Sequence, residues 1–138
     1  MNHEQLKLML GDYACIAYTD HGLVFTSKER GIAPLVELCE LNKAKQELFA
    51  ADKVIGKAAA LLCIYCNIKM LYARVISKPA LEVLEDNGID TNYDKLVPYI
   101  KNRTGNGKCP MEKLAKGVDD PEMMFKKAKE FVDKNQGE

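Results

Sequence analysis

The sequence predicts an α/β fold: a mixed sheet that opens with an antiparallel hairpin and continues in parallel strands, with helices between them. Two observations carry this. Strand-length apolar runs alternate with helix-spaced ones along most of the chain, and such alternation implies crossover connections and a sheet covered on both faces. The length of 138 residues, 47% hydrophobic and 29% charged, suits one domain over 1–138, able to bury roughly two-thirds of its unfolded surface without a metal or disulfide.

Leu6, Met9 and Leu10 share one helical face and Gly11 follows them, so a short helix opens the chain. Residues 13–19 and 23–26 read as two strands joined across Asp20-His21-Gly22. Beyond Gly31 and Pro34, the residues Ile32, Leu35, Leu38, Cys39 and Leu41 recur at helical spacing, with Glu37 and Glu40 facing outward. Residues 48–51 form a short strand that runs into 52–57. The nearly all-apolar stretch 58–66 starts with three alanines, which favours helix, and a helix apolar all round must be covered all round. A β-rich run over 68–76 leads to Ser77, a helix cap, and Asn87-Gly88 closes that helix. A last strand is expected over 93–100, at an edge because Pro98 cannot donate to a ladder. The polar loop 101–108 then gives way to a helix starting at Cys109-Pro110. Asp120-Pro121 starts another, whose stripe is Met124, Phe125, Ala128, Phe131 and Val132.

Composition narrows the function. Twenty basic residues balance 20 acidic ones, leaving no basic excess for nucleic-acid or anionic-membrane binding. No apolar run approaches the roughly 20 residues of a membrane span, and Met1-Asn2-His3-Glu4 lacks the basic start of a secretion signal. Five cysteines without framework spacing fit a reducing compartment, so a cytoplasmic location is expected.

In an open parallel sheet, ligands bind beyond the carboxyl ends of the strands, where helix N-termini present free backbone donors. Three segments are expected at that edge: Asp52-Lys53 with Lys57, Ser77-Lys78, and Asn102-Arg103 with the loop to Cys109. There Lys53, Lys57, Lys78 and Arg103 would converge on an anion; the alternative is that they are solvated residues at helix starts. Cys109, between Lys108 and Pro110, reads either as a nucleophile or as a partly buried residue at a helix start, since neither His3 nor His21 lies near it in sequence to act as base. Cys63-x-x-Cys66 has redox or metal spacing, but its all-apolar helix makes two small core residues the better reading; Cys15 and Cys39 also read as core. No Walker sequence, nucleophile elbow or His-Glu-x-x-His motif occurs, and Gly105-Asn106-Gly107 lacks the setting of a dinucleotide fingerprint.

The stretches 51–62, 75–81 and 102–112, above all Cys109-Pro110-Met111-Glu112 after an Asn-Arg-x-Gly loop, resemble domain-of-unknown-function family 1893. The resemblance covers nearly the whole chain. It implies a cytidine deaminase-like, three-layer α/β/α sandwich. Zinc deaminases of that superfamily place His-x-Glu at one helix start and Pro-Cys-x-x-Cys at the next. The matching segments here, 52–57 and 77–80, offer neither His nor Cys, so no metal or other cofactor is expected and zinc-dependent deamination is not. The superfamily fold also serves metal-free enzymes of nucleotide biosynthesis and a sulfur-handling family.

Two functional readings follow. In the first, the protein binds a small anionic or nucleotide-like ligand through Lys53, Ser77, Lys78, Asn102 and Arg103. Any reaction would then use Asp52 as general base, Lys57 or Arg103 to stabilise charge, and Cys109 for covalent chemistry. In the second, the protein is a non-enzymatic scaffold with a vestigial cleft, forming homo-oligomers through the Met123-Met124-Phe125 face.

Overall fold

The structure, a computed structural model, describes residues 1–101, 105, 107 and 109–136. Helix α1 (His3–Leu10) begins with a capping box: the Asn2 side chain accepts from the Gln5 amide at 2.9 Å, while the Gln5 side chain accepts from the Asn2 amide at 2.8 Å. Strands β1 (Cys15–Thr19) and β2 (Gly22–Ser27) form the expected hairpin. Its turn ends at Gly22, where φ is +123°, a conformation that a side chain would strain. Helix α2 (Ala33–Leu41) precedes β3 (Leu48–Ile55), α3 (Lys57–Tyr65) and β4 (Ile68–Ser77). Helix α4 (Lys78–Asp86), β5 (Asp90–Val97), α5 (Pro110–Leu114) and α6 (Pro121–Gln136) complete the order.

The five strands make one mixed sheet in the order β2-β1-β3-β4-β5. Strand β1 is antiparallel to both neighbours, and β3, β4 and β5 run parallel. Two boundaries differ from the sequence reading. Strand β3 does not stop at residue 51 but runs on through Asp52 and Lys53 to Ile55, paired with β4 as far as Ile76; those two charged residues belong to the strand and not to the start of a helix. Strand β5 lies three residues earlier than 93–100. Its first residues, Asp90, Thr91 and Asn92, are polar because it is an edge strand with few groups to bury, and its ladder ends at Val97, before the proline.

The two faces of the sheet are covered unequally. Among the described helices, α1 packs on one face, where Leu6 and Leu10 meet Ile16, Tyr18, Ala51 and Tyr72. On this face the Tyr72 hydroxyl donates to Asp94 at 2.6 Å, and Lys7 of α1 pairs with the same carboxylate at 3.2 Å, which together hold Asp94 below the usual carboxylate range. The other face carries the large core, with α3 at its centre and α2, α4, α5 and α6 around it. The run from Ala58 to Cys63 is buried throughout, as expected for a helix covered on every side. Among the described residues, no helix is long and apolar enough to cross a membrane.

Helix α6 corrects one expectation. Met124 does not belong to an exposed contact face: it is fully buried in the large core, and Phe125 is half-buried, its ring stacked on Tyr65 with centroids 4.7 Å apart. Only Met123 of that trio is exposed. The helix uses its apolar stripe to cover α3.

Candidate functional site

The carboxyl ends of β3, β4 and β5 share one edge of the sheet, and the antiparallel β1 starts there at Cys15. At this rim lies a cavity of about 720 Å³. The segment after β2, the end of β3, the start of α3, residues 100 and 101, the start of α5 and the last turns of α6 all contribute to its wall. Much of the wall is apolar, with Ile32, Ile100, Phe131 and Val132 among its members, and a few charged groups converge on it. That is the usual make-up of a small-molecule site.

Asp52 lies on the cavity wall yet is only 7% exposed. It comes from β3 at the point paired with Cys15 of β1 and Ala73 of β4, so the sheet fixes its backbone on both sides. Its Oδ1 accepts from the Val54 amide at 3.0 Å. Burial pushes the Asp52 carboxyl up to about 7; hydrogen bonds from the Val54 amide and the Cys15 thiol, and the charge of Lys53, act in the opposite sense without cancelling it. Burial likewise raises the Cys15 and Cys63 thiols, and the neighbouring Asp52 carboxyl adds to both shifts. A carboxyl group that exchanges its proton near neutral pH, at the wall of a cavity, is able to act as a general acid or base.

Of the other residues singled out from sequence, Lys53 and Cys109 line the same cavity. The Lys53 Nζ lies 3.4 Å from the Asp12 carbonyl, and Cys109 is half-buried with its amide bonded to the Ile100 carbonyl at 2.9 Å. Lys57 begins α3, but its Nζ turns to Asp119 at 3.2 Å and it is not part of the cavity wall. Ser77 is fully buried and its hydroxyl caps α4, accepting from the Ala80 amide at 3.3 Å. Lys78 follows it, exposed at the start of α4, and is not part of the cavity wall. Asn102 and Arg103 lie outside the described residues. The rim therefore brings together Asp52, Lys53 and Cys109, and its further positive charge comes from Lys28, Arg30 and Lys101.

Sequence reasoning did not single out Glu112 as a site residue. Carried on α5, it reaches the start of α3, where its Oε1 accepts from the Lys57 amide at 3.3 Å, and its Oε2 accepts from the Ile100 amide at 3.4 Å. The α3 N-terminus, expected to be open to an outside anion, thus holds a carboxylate of the chain itself. Gly56, the N-cap of α3, leaves room for it: a Cβ there would meet Glu112 Oε1 at 2.6 Å and Ile100 Cγ1 at 3.1 Å. A glycine at a strand-to-helix junction is the one sequence signal for this close approach, and it does not say which residue approaches.

Comparison with known proteins places this geometry in a family. The model of TM1506, a domain of unknown function (DUF1893), matches residues 4–132. Among solved structures, the DUF1893 family protein TM1506 from Thermotoga maritima is 33% identical, with a TM-score of 0.78 over 89% of this chain and 84% of that one. No curated protein matches.

Proposed function

We propose, from the premise that this chain belongs to the DUF1893 family, that its rim cavity binds a small anionic, nucleotide-like molecule and that Asp52 exchanges a proton with it. The observation that carries this reading is a nearly enclosed carboxyl group, raised toward neutral pH, on a cavity wall that also has Lys28, Arg30, Lys53 and Lys101. Phe131, Ile100 and Val132 suit the ring of such a ligand, and the four cations suit its anionic group. A volume of about 720 Å³ is within the range of small-molecule sites.

A mixed five-stranded sheet with helices on both faces also supports the cytidine deaminase-like, three-layer architecture as the setting of this site. Metal-independent chemistry is the matching expectation. The end of β3 leading into α3 (52–57) and the start of α4 (77–80) supply no His or Cys, and among the described residues no group of three or more His, Cys, Asp or Glu is arranged to hold a metal ion. Five free thiols, four of them buried, support a reducing, cytoplasmic setting.

The test is a thermal-shift screen of the purified protein with uridine monophosphate, ribose 5-phosphate and inorganic polyphosphate. Wild type is expected to be stabilised by the nucleotide, by about 2.7 kcal/mol at a hundredfold excess over its Kd. Lys53→Ala and Arg30→Ala should each weaken nucleotide binding about fivefold, the effect of losing one partly exposed charge-assisted contact. Absence of stabilisation by every compound would remove the binding reading.

A further inference from the structure

The chain carries its own anion inside the proposed site. Glu112 and Gly56 both line the rim cavity, and the Glu112 carboxylate sits between two backbone donors, the Lys57 amide at the start of α3 and the Ile100 amide beyond β5. Both contacts are long, 3.3 and 3.4 Å, just beyond the usual range for N–H donors and correspondingly weak. The space is cut for an oxygen atom, because a Cβ on Gly56 would lie 2.6 Å from Oε1.

Helix α5, which carries Glu112, is only five residues long. Its anchors are Met111 and Ala115, both buried in the large core. Glu112 lies between these anchors and is itself only partly buried. The carboxylate is carried on the rotatable bonds of its own side chain, whereas Met111 and Ala115 hold the backbone on either side of it. The cations Lys53 and Lys101 are on the same cavity wall as Glu112.

We propose that Glu112 is an internal competitor of the ligand: its carboxylate, on the cavity wall, covers the Lys57 and Ile100 amides behind it, and the ligand's anionic group reaches those amides only when Glu112 swings aside. This inference rests on the reading of the cavity as an anion-binding site and adds its regulation. The Glu112 contact sets a threshold that only a ligand with a compact oxyanion crosses, so a phosphate monoester is selected over its neutral nucleoside.

Isothermal titration calorimetry with uridine monophosphate, inorganic phosphate and uridine tests this on wild type, Glu112→Ala, Glu112→Gln and Lys53→Ala. Circular dichroism verifies that each variant is folded, and Glu112→Gln keeps the side chain's shape if the alanine variant does not fold. Glu112→Ala should bind uridine monophosphate and inorganic phosphate at least tenfold more tightly than wild type, Glu112→Gln by a smaller factor, and uridine should show no gain. Unchanged or weakened phosphate binding in both Glu112 variants would overturn the proposal, even where Lys53→Ala still weakens wild-type binding and so leaves the cavity reading intact. If no variant binds any probe, the cavity reading and this inference fall together.

Discussion

Asp52→Asn is expected to remove most of a stability loss that wild type undergoes between about pH 4 and pH 7. An Asp in an unfolded chain releases its proton near pH 4, whereas the folded Asp52 releases it at about 7. Between those values the folded state holds a proton that the unfolded state does not, so stability falls as pH rises. The contribution is complete below the unfolded value and lost above the folded one. At 1.36 kcal/mol per unit it amounts to about 4 kcal/mol across the window.

Asparagine keeps the acceptor that the Val54 amide uses and cannot ionise. Above pH 7 the variant should therefore be more stable than wild type, while toward pH 5 the advantage disappears. Urea denaturation of both proteins at pH 5, 6, 7 and 8 measures the difference, and groups that titrate equally in both cancel from it. Curves that stay parallel across the range would mean that Asp52 is ionised throughout. A carboxyl group that destabilises the fold at neutral pH is more readily understood as a working part of a site than as a structural one.

The second large effect belongs to α3. Leu62→Ala should lower the unfolding free energy by about 2–5 kcal/mol, the range for deleting a buried leucine side chain whose surroundings cannot collapse. Leu62 is fully buried in the large core, and α3 is packed by α2, α4, α5 and α6 as well as by the sheet. Partners on so many sides restrict relaxation into the cavity left behind. Against a total stability of about 5–15 kcal/mol, such a loss approaches the limit of a folded domain at physiological temperature. Leu8→Ala is the matched control: Leu8 is 76% exposed on α1, and its truncation should change stability by less than about 0.5 kcal/mol. Equal effects for the two variants would contradict the central position of α3.

The reach and limits of the sequence follow from the range of the interactions involved. The hairpin, the all-round apolar helix α3 and the Ser77 cap are local signals, set by turn residues, periodicity and a single side chain. The sequence pattern supports strand β3 only over residues 48–51; its continuation through Asp52-Lys53 depends on pairing with β1 and β4, which no local pattern reports. Met124 illustrates the same point on a helix, since an apolar stripe has the same spacing whether it meets a partner or the chain's own core. At the rim, Asp52, Lys53 and Cys109 could be named because they lie near the ends of recognisable elements. Glu112 could not, as it meets the Lys57 amide across 55 positions of sequence.

The proposed proton exchange between ligand and cavity wall rests on Asp52. Carbon NMR of the Asp52 side-chain carboxyl, titrated from pH 3 to pH 9 with and without uridine monophosphate, measures this at the atom concerned. A midpoint near 7 for the protein alone, displaced when the nucleotide is present, is the predicted result. A midpoint near 4 that the nucleotide leaves unmoved would contradict it.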